Sequence, residues 1–509
     1  MKRLLLLLVA LPALAQVRES MTVEVVEVPV YVTTSAGKPV RGLTRDAFEL
    51  FVDGKRQPID FFDAVDFAAV PSPNESPARP LRERRLYLLL FDLSFATPAK
   101  LVRAQRAAEQ AVAHANSDTD FFAVGTYSAQ RGVQFLSSFV RDRAAVLRAI
   151  YTLHSGKAND PLGIALSSAE RATWVAAGEK DVAVASEQEE FASMLEGEMA
   201  DAIRGGEANQ EALRTPGNRL IEYQIGNLGD TAARLAALEG QKHVIFFTEG
   251  FQSARVTDIK SRSGPPRFDA RMLDLVKEMH DTFVSAGVML DTVDIKGLRH
   301  SFRDLENDAL YMLSRDTGGR VVVNRNDLVE AIDSVTTAQS VVYVLGFHPA
   351  DRKRGRISVR VKGLPRGSEV SYREGFGLAR LKSGIDPLQL ADIIVNDVPQ
   401  TGVTLDSGVT PYDGGAEVAM SFSRAEVVPQ LGPDAAVDIL IYIFDEHRVP
   451  AGFKSKRIGF DSAARIPSGY VTLREPFELP KGKYTAKVLL RISGTNSLGF
   501  IRRDFEVTQ

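Results

Sequence analysis

The sequence predicts an α/β fold: a doubly wound, mostly parallel sheet covered on both faces, flanked by an N-terminal β module and a C-terminal β-sandwich. Three observations predict it. Continuous apolar runs alternate with amphipathic helical patterns from Leu86 to Phe347, as they do where parallel strands are buried on both sides. Segments of strict apolar/polar alternation stand before and after that stretch, the period of strands with one buried face. At 509 residues the chain is long enough for several separate cores.

In chain order, the opening MKRLLLLLVALPALAQ sets Lys2 and Arg3 before an apolar core from Leu4 to Leu11 and ends in Ala13, Leu14 and Ala15. This is the pattern of a secretory signal peptide over residues 1–15, cleaved near Ala15 and too short to span a bilayer. The mature chain is expected to be secreted or periplasmic. With no cysteine it has no lipid-attachment residue, disulfide framework or thiolate chemistry. No later stretch reaches the ~18 apolar residues of a membrane span. A net charge of −3, with 25% charged and 44% hydrophobic residues, gives no general pull toward nucleic acid or acidic membranes.

Residues 16–67 alternate (Val26, Val28, Val30 and Val32 against Glu27, Pro29, Tyr31 and Thr33) and turn at SAGKP and VDGKRQP, which predicts a small β module of hairpins. The Pro, Ser and Ala-rich stretch within 68–83 lacks periodicity and reads as a linker. Residues 84–348 carry the strand runs LYLLLF, FFAVGTY, HVIFFT, VMLDTVD, VVV and VVYVLGF, with helical patterns near 98–115, 142–154, 218–239, 270–286 and 327–338. The order is that of a Rossmann-like α/β domain. In the first helix Thr97 stands as N-cap and Pro98 at the first position, with Leu101, Val102, Gln105, Ala108 and Val112 on one side. The acidic stretch 174–215, with the only tryptophan, breaks this rhythm and reads as a helical insertion. Residues 349–382 form a β-hairpin extension. Residues 386–509, with VDILIYIF and GKYTAKVLLRI spaced by turn signals, predict an Ig-like β-sandwich.

The stretch LYLLLFDLSFATPAK, residues 86–100, places Asp92 and Ser94 just past a strand and before a helix. Ligands of open α/β sheets bind at that end of the strands. A D-x-S-x-S loop, with a Thr from a second loop and an Asp from a third, is the pattern of the metal-ion-dependent adhesion site. This sequence resembles the von Willebrand factor A-type domains that carry it, and matches in part. Asp92 and Ser94 are in place, Ala96 stands at the last serine position, Asp160 precedes PLG where the family often has Thr, and Glu249 sits in TEG where TDG is usual. The resemblance implies a hard divalent cation held by Asp92, Ser94, Asp160 and Glu249: Mg²⁺, or Ca²⁺ or Mn²⁺ with the preference altered. The residues alone leave a second reading open, because Asp and Ser after a strand also make turns and caps.

Three stretches, VEVPVYVTTSAGKPVRGLTRDAFELFVDGKRQPIDFF, ALEGQKHVIFFTEGF and VYVLGFHPADRKRGRISVRVKGLPRGSEVSYREGFG, together resemble the exported bacterial proteins with a von Willebrand factor A-related domain that are abundant in acidobacteria. The resemblance spans roughly residues 20–380 and implies an adhesion-type module with β decoration.

No G-x-S-x-G, Walker loop, HExxH pair or EF-hand loop is present. The seven histidines, at 114, 154, 243, 280, 300, 348 and 447, show no spacing that sets two on one helical face. Asp291 and Asp294 end another strand, Asp294 facing the rim or capping its loop. The basic run DRKRGR lies in a turn without interleaved aromatics and reads as a solvated hairpin in preference to a nucleic-acid surface. The sequence therefore predicts no enzyme. It predicts a protein-binding module that docks a partner at the sheet rim. The alternative is a metal-free envelope scaffold using the 174–215 insertion or the sandwich, and a hydrolase stands third.

Overall fold

A computed structural model describes residues 25–68, 81–115, 119–129, 131–154, 214–251, 257–258, 267–268, 270–298, 306–349, 354–377, 386–432, 435–460 and 469–508. The leader segment, most of the 68–83 linker, Asp160 and nearly all of the 174–215 insertion lie outside these residues. Valine at alternate positions gives β1 (Val26–Thr33) a core face, and Val28, Val30 and Val32 are buried. Asp53 and Gly54, both at positive φ, close the hairpin between β2 (Phe48–Val52) and β3 (Lys55–Gln57), as a two-residue turn matched to strand twist requires. β4 (Phe61–Asp66) follows.

The α/β domain begins with β5 (Arg85–Asp92), buried along its whole length. Then come α1 (Pro98–His114), β6 (Asp120–Ser128), β7 (Gly132–Phe135), α2 (Arg143–Tyr151), α3 (Arg214–Leu235) and β8 (Gln241–Thr248). The two-residue strands β9 (Thr257–Asp258) and β10 (Arg267–Phe268) precede α4 (Ala270–Ala286), β11 (Val288–Asp294), α5 (Glu306–Ser314), β12 (Val321–Val322) and α6 (Leu328–Ala338). The sheet runs β12-β11-β8-β5-β6-β7, parallel except at β7. Residues of α3, α4 and α5 pack on one face and residues of α1, α2 and α6 on the other. Because β6 lies on one side of β5 and β8 on the other, the winding reverses between β5 and β8, and a crevice opens at their carboxyl ends. On α1 the buried stripe runs through Leu101, Ala104, Ala108, Ala111 and Val112, while Val102 lies off it and is 36% exposed.

Gly319 enters β12 where a β-carbon would fall on the Leu290 carbonyl and 3.0 Å from the Asp291 nitrogen. Backbone cannot step aside as a side chain can. Gly319→Ala is expected to cost about 3 kcal/mol, the upper end of overpacking effects, read as a lower urea midpoint with unchanged slope.

The chain then returns to its beginning with β13 (Val341–Phe347), β14 (Arg354–Val361), β15 (Glu369–Tyr372) and β16 (Gly375–Gly377). The VVYVLGF segment, grouped above with the parallel strands, is antiparallel: β13 lies between β1 and β4 in the sheet β15-β1-β13-β4. It reads as a continuous apolar run because both its faces are covered, Tyr343 and Leu345 by one core and Val342 and Val344 by another. A second sheet, β16-β14-β2-β3, closes the same core. The N-terminal strands and the 349–382 segment thus complete one two-sheet unit, pairing strands about 300 residues apart in sequence.

Asp386 caps α7 (Pro387–Asn396) by accepting from the Leu388 N–H. After it come β17 (Leu405–Tyr412), β18 (Gly415–Ser423), the one-turn α8 (Arg424–Val427), β19 (Ala436–Asp445), β20 (Pro450–Gly459), β21 (Tyr470–Glu478), β22 (Gly482–Ile492) and β23 (Leu498–Val507). Sheets β17-β18-β21 and β20-β19-β22-β23 share one core, into which Tyr484, Ala486, Val488, Leu490 and Ile492 of β22 project. The other face of β22 is not open to solvent. Helix α7 covers it, and Lys487 there is buried, donating to the Ile394 carbonyl at 2.6 Å and pairing with Asp397 at 2.8 Å.

Candidate functional site

Asp92 ends β5 with its carboxylate fully buried. Its Oδ1 accepts the Ser94 and Phe95 N–H groups, each at 3.0 Å, which folds the chain back toward the start of α1. Its Oδ2 accepts the Thr248 hydroxyl at 2.6 Å and the Gln224 amide at 3.0 Å. One carboxylate thereby ties β5 to β8 and α3. Thr248 Oγ1 in turn accepts from Gly250 N at 2.9 Å. Burial pushes the Asp92 carboxyl up to about 6, against the pull of the hydrogen bonds from Thr248, Phe95, Ser94 and Gln224.

Ser94 Oγ accepts from Ala129 N at 2.7 Å, and Leu93 N donates to the Tyr127 carbonyl at 2.8 Å, so the β5 loop is also clipped to the end of β6. Glu249, one residue past β8, is 7% exposed. Its Oε1 accepts from Thr97 N at 2.6 Å and its Oε2 from the Lys100 ammonium at 2.8 Å. Thr97 stands at the N-cap of α1 as expected, with Pro98 next, but its side chain makes no capping bond back to the helix. The Glu249 carboxylate binds the N–H of the N-cap residue itself, at a helix start where the dipole favours an anion. Burial alone raises the Glu249 carboxyl, but Lys100 and Thr97 outweigh it and hold it below its ordinary range.

Of the four sequence-predicted residues, Asp92, Ser94 and Glu249 stand on the loops that border the crevice, and Asp160 lies outside the described residues. Three partners that fix their state were not singled out: Thr248, Gln224 and Lys100. Lys100 carried a readable signal. A cation in the first turn of a helix opposes the dipole, and such a position implies a carboxylate beside it. Asp294 holds its own turn, Oδ1 accepting from Lys296 N at 2.9 Å. Asp291 is not on the rim: it is fully buried between strands, accepting from Arg320 N at 2.8 Å and the Gln339 amide at 3.0 Å.

A divalent ion needs carboxylate and hydroxyl lone pairs free to face it. Here both Asp92 oxygens, Ser94 Oγ and both Glu249 oxygens already accept from protein donors, one of them an ammonium. Among the described residues, a divalent ion would have to share or displace those donors.

Another row has the outline of a relay. Tyr31 OH lies 3.3 Å from His243 Nε2, and His243 Nδ1 lies 3.6 Å from Asp291 Oδ2. All three are buried, and burial pushes the Tyr31 hydroxyl up, away from activation. His243 stacks on Tyr87 with ring centroids 5.2 Å apart. The row joins β1 to the base of the parallel sheet.

No protein-family profile matches the chain, and no curated protein matches it. Among solved structures it is similar to the conserved hypothetical protein BatB from Bacteroides thetaiotaomicron, at 10% identity, covering 50% of this chain and 98% of that one, with a TM-score of 0.25. It is similar to an aerotolerance-related membrane protein from Bacteroides fragilis at 9% identity, covering 50% and 98%, with a TM-score of 0.26. Three N-terminal domains of the type V pili tip protein Mfa5 from Porphyromonas gingivalis match at 10% identity over 75% and 76%, with a TM-score of 0.27. Scores of this size assign no function, and the readings below rest on the site's own geometry.

Proposed function

We propose that this is an exported protein-binding module, of the adhesion type carried by von Willebrand factor A-related domains, that docks a protein partner on the rim above β5, β8 and β11. One observation carries the reading: the rim presents Leu93 at 36% and Leu298 at 60% exposure, Leu93 on a loop anchored by Asp92 and Ser94 and Leu298 bonded through its N–H to Asn326 Oδ1. Fixed apolar side chains at a winding reversal suit docking, since a pre-ordered surface loses little entropy on binding. Lys100, 35% exposed in the first turn of α1, supplies a charge for orientation. No described helix is long and apolar enough to cross a membrane, in keeping with an exported chain.

A photo-crosslinking residue placed at Leu93 or Leu298 is expected to give discrete adducts in the secreted or envelope fraction, abolished by Asp at the other leucine. The scaffold reading has its own observation, the exposed Tyr470 and Val449 of the sandwich, at 74% and 55%. Adducts from a crosslinker at Tyr470, with none from the rim, would replace the first reading with the second.

A further inference from the structure

The crevice between the ends of β5 and β8 is where an open α/β sheet takes its ligand. It holds the side chains of this chain instead. We propose that the Lys100 ammonium is the resident cation of the rim, standing in for a divalent ion, so that the native protein does not take up Mg²⁺, Ca²⁺ or Mn²⁺ there and a cation site appears only when Lys100 loses its charge.

Several independent observations support this. Lys100 is the third residue of α1, an unfavourable place for a cation unless a carboxylate offsets the dipole. Glu249 does so at 2.8 Å from a strand end about 150 residues away, and its side chain is nine-tenths buried. A buried carboxylate without a counter-charge is costly, so the pair holds together in the absence of any ion. Asp92 lies in the adjoining position, its Oδ2 accepting from Thr248, the residue before Glu249. Glu249 therefore has its counter-charge supplied covalently by the helix, while the Asp92 oxygens are taken up by four protein donors. Removing the Lys100 charge while keeping its bulk uncovers Glu249 Oε2, a carboxylate oxygen of the kind hard divalent ions prefer, next to the strand end that carries Asp92.

Titration calorimetry and thermal unfolding with MnCl₂ and MgCl₂ test this on the full chain, independently of whether any partner docks. Wild type is expected to give no binding heat and no change of midpoint. Lys100→Met and Lys100→Gln are expected to bind Mn²⁺ tighter than wild type by about tenfold or more, with the midpoint raised by the ion. Lys100→Arg and the double variant Lys100→Met/Glu249→Gln are expected to stay silent. Saturable Mn²⁺ binding by wild type that Lys100→Met does not tighten would overturn the proposal, as would silence from both neutral variants. If one neutral variant fails to fold, the other decides.

Discussion

Replacing Asp392 with alanine is expected to destabilise the protein by about 3–5 kcal/mol, the range found when one partner of a buried ion pair is removed. Asp392 sits on α7, and its two oxygens each accept from the Arg84 guanidinium at 3.0 Å. Both residues are buried. Arg84 also donates to the Glu239 carbonyl at 2.9 Å and lies over the Phe121 ring at 5.2 Å, but neither contact supplies a negative charge. With Asp392 gone, the guanidinium would stay in a low-dielectric joint with nothing to balance it.

The joint matters because α7 is the piece through which the sandwich meets the α/β domain. Leu388 packs into the α/β core, and Leu390, Ile393 and Ile394 pack with Leu440, Tyr442 and Leu489 of the sandwich. Asn396 donates to the Phe139 carbonyl at 2.7 Å, and Arg234 pairs with Asp386 at 3.0 Å. Removing both charges separates charge loss from packing loss. Arg84→Met/Asp392→Leu is expected to cost much less than Asp392→Ala, because apolar replacement of a buried pair is often neutral or stabilising. Urea unfolding of the single and double variants measures this. A single variant within about 1 kcal/mol of wild type, the level of an exposed ion pair, would show that the joint is wet.

The parallel strands were legible because helices bury both their faces, and LYLLLF, FFAVGTY, HVIFFT and VMLDTVD announce it as unbroken apolar runs. The same signal misplaced VVYVLGF, since burial between two β layers leaves the same pattern and its partners in β1 and β4 are about 300 residues upstream. Lys487 is the opposite case. Its strand alternates as if one face were wet, yet that face is covered by α7, to which the lysine itself bonds. At the rim, Asp92 and Glu249 could be found from their places after strands. Their chemistry could not, because it is set by Gln224 and Lys100, donors 132 and 149 positions away, and no periodicity encodes a contact between a helix and a distant loop.

Asp92→Ala is expected to cost about 3–5 kcal/mol at pH 5, since it leaves the Ser94 and Phe95 N–H groups and the Gln224 amide buried without their acceptor. Asp92→Asn is expected to cost about 1 kcal/mol, the net worth of one hydrogen bond. The asparagine oxygen keeps the two backbone donors. Its amide meets Gln224, whose Oε1 has no partner among the described residues and comes into reach when that side chain turns over, and Thr248 Oγ1, which accepts from Gly250 N, has a second lone pair. The two variants also separate packing from charge. With its carboxyl raised to about 6 in the folded protein from an ordinary 3.8, Asp92 holds a proton through that interval that the unfolded chain has released. Its contribution is therefore fully present below about pH 4 and declines as pH rises through 6. Glu249, held low by Lys100, works in the opposite sense and at lower pH, its contribution lost as pH falls below the ordinary glutamate range. The difference between wild type and Asp92→Asn isolates the first effect: wild type should lose stability relative to the variant by about 2 kcal/mol between pH 4 and 7, since each tenfold difference in proton affinity between folded and unfolded chain is worth about 1.4 kcal/mol and the unfolded carboxyl is already partly ionised at pH 4. Urea midpoints taken in half-unit pH steps across that interval measure the slope, and parallel profiles for wild type and Asp92→Asn would mean that Asp92 ionises in the folded protein as freely as in water.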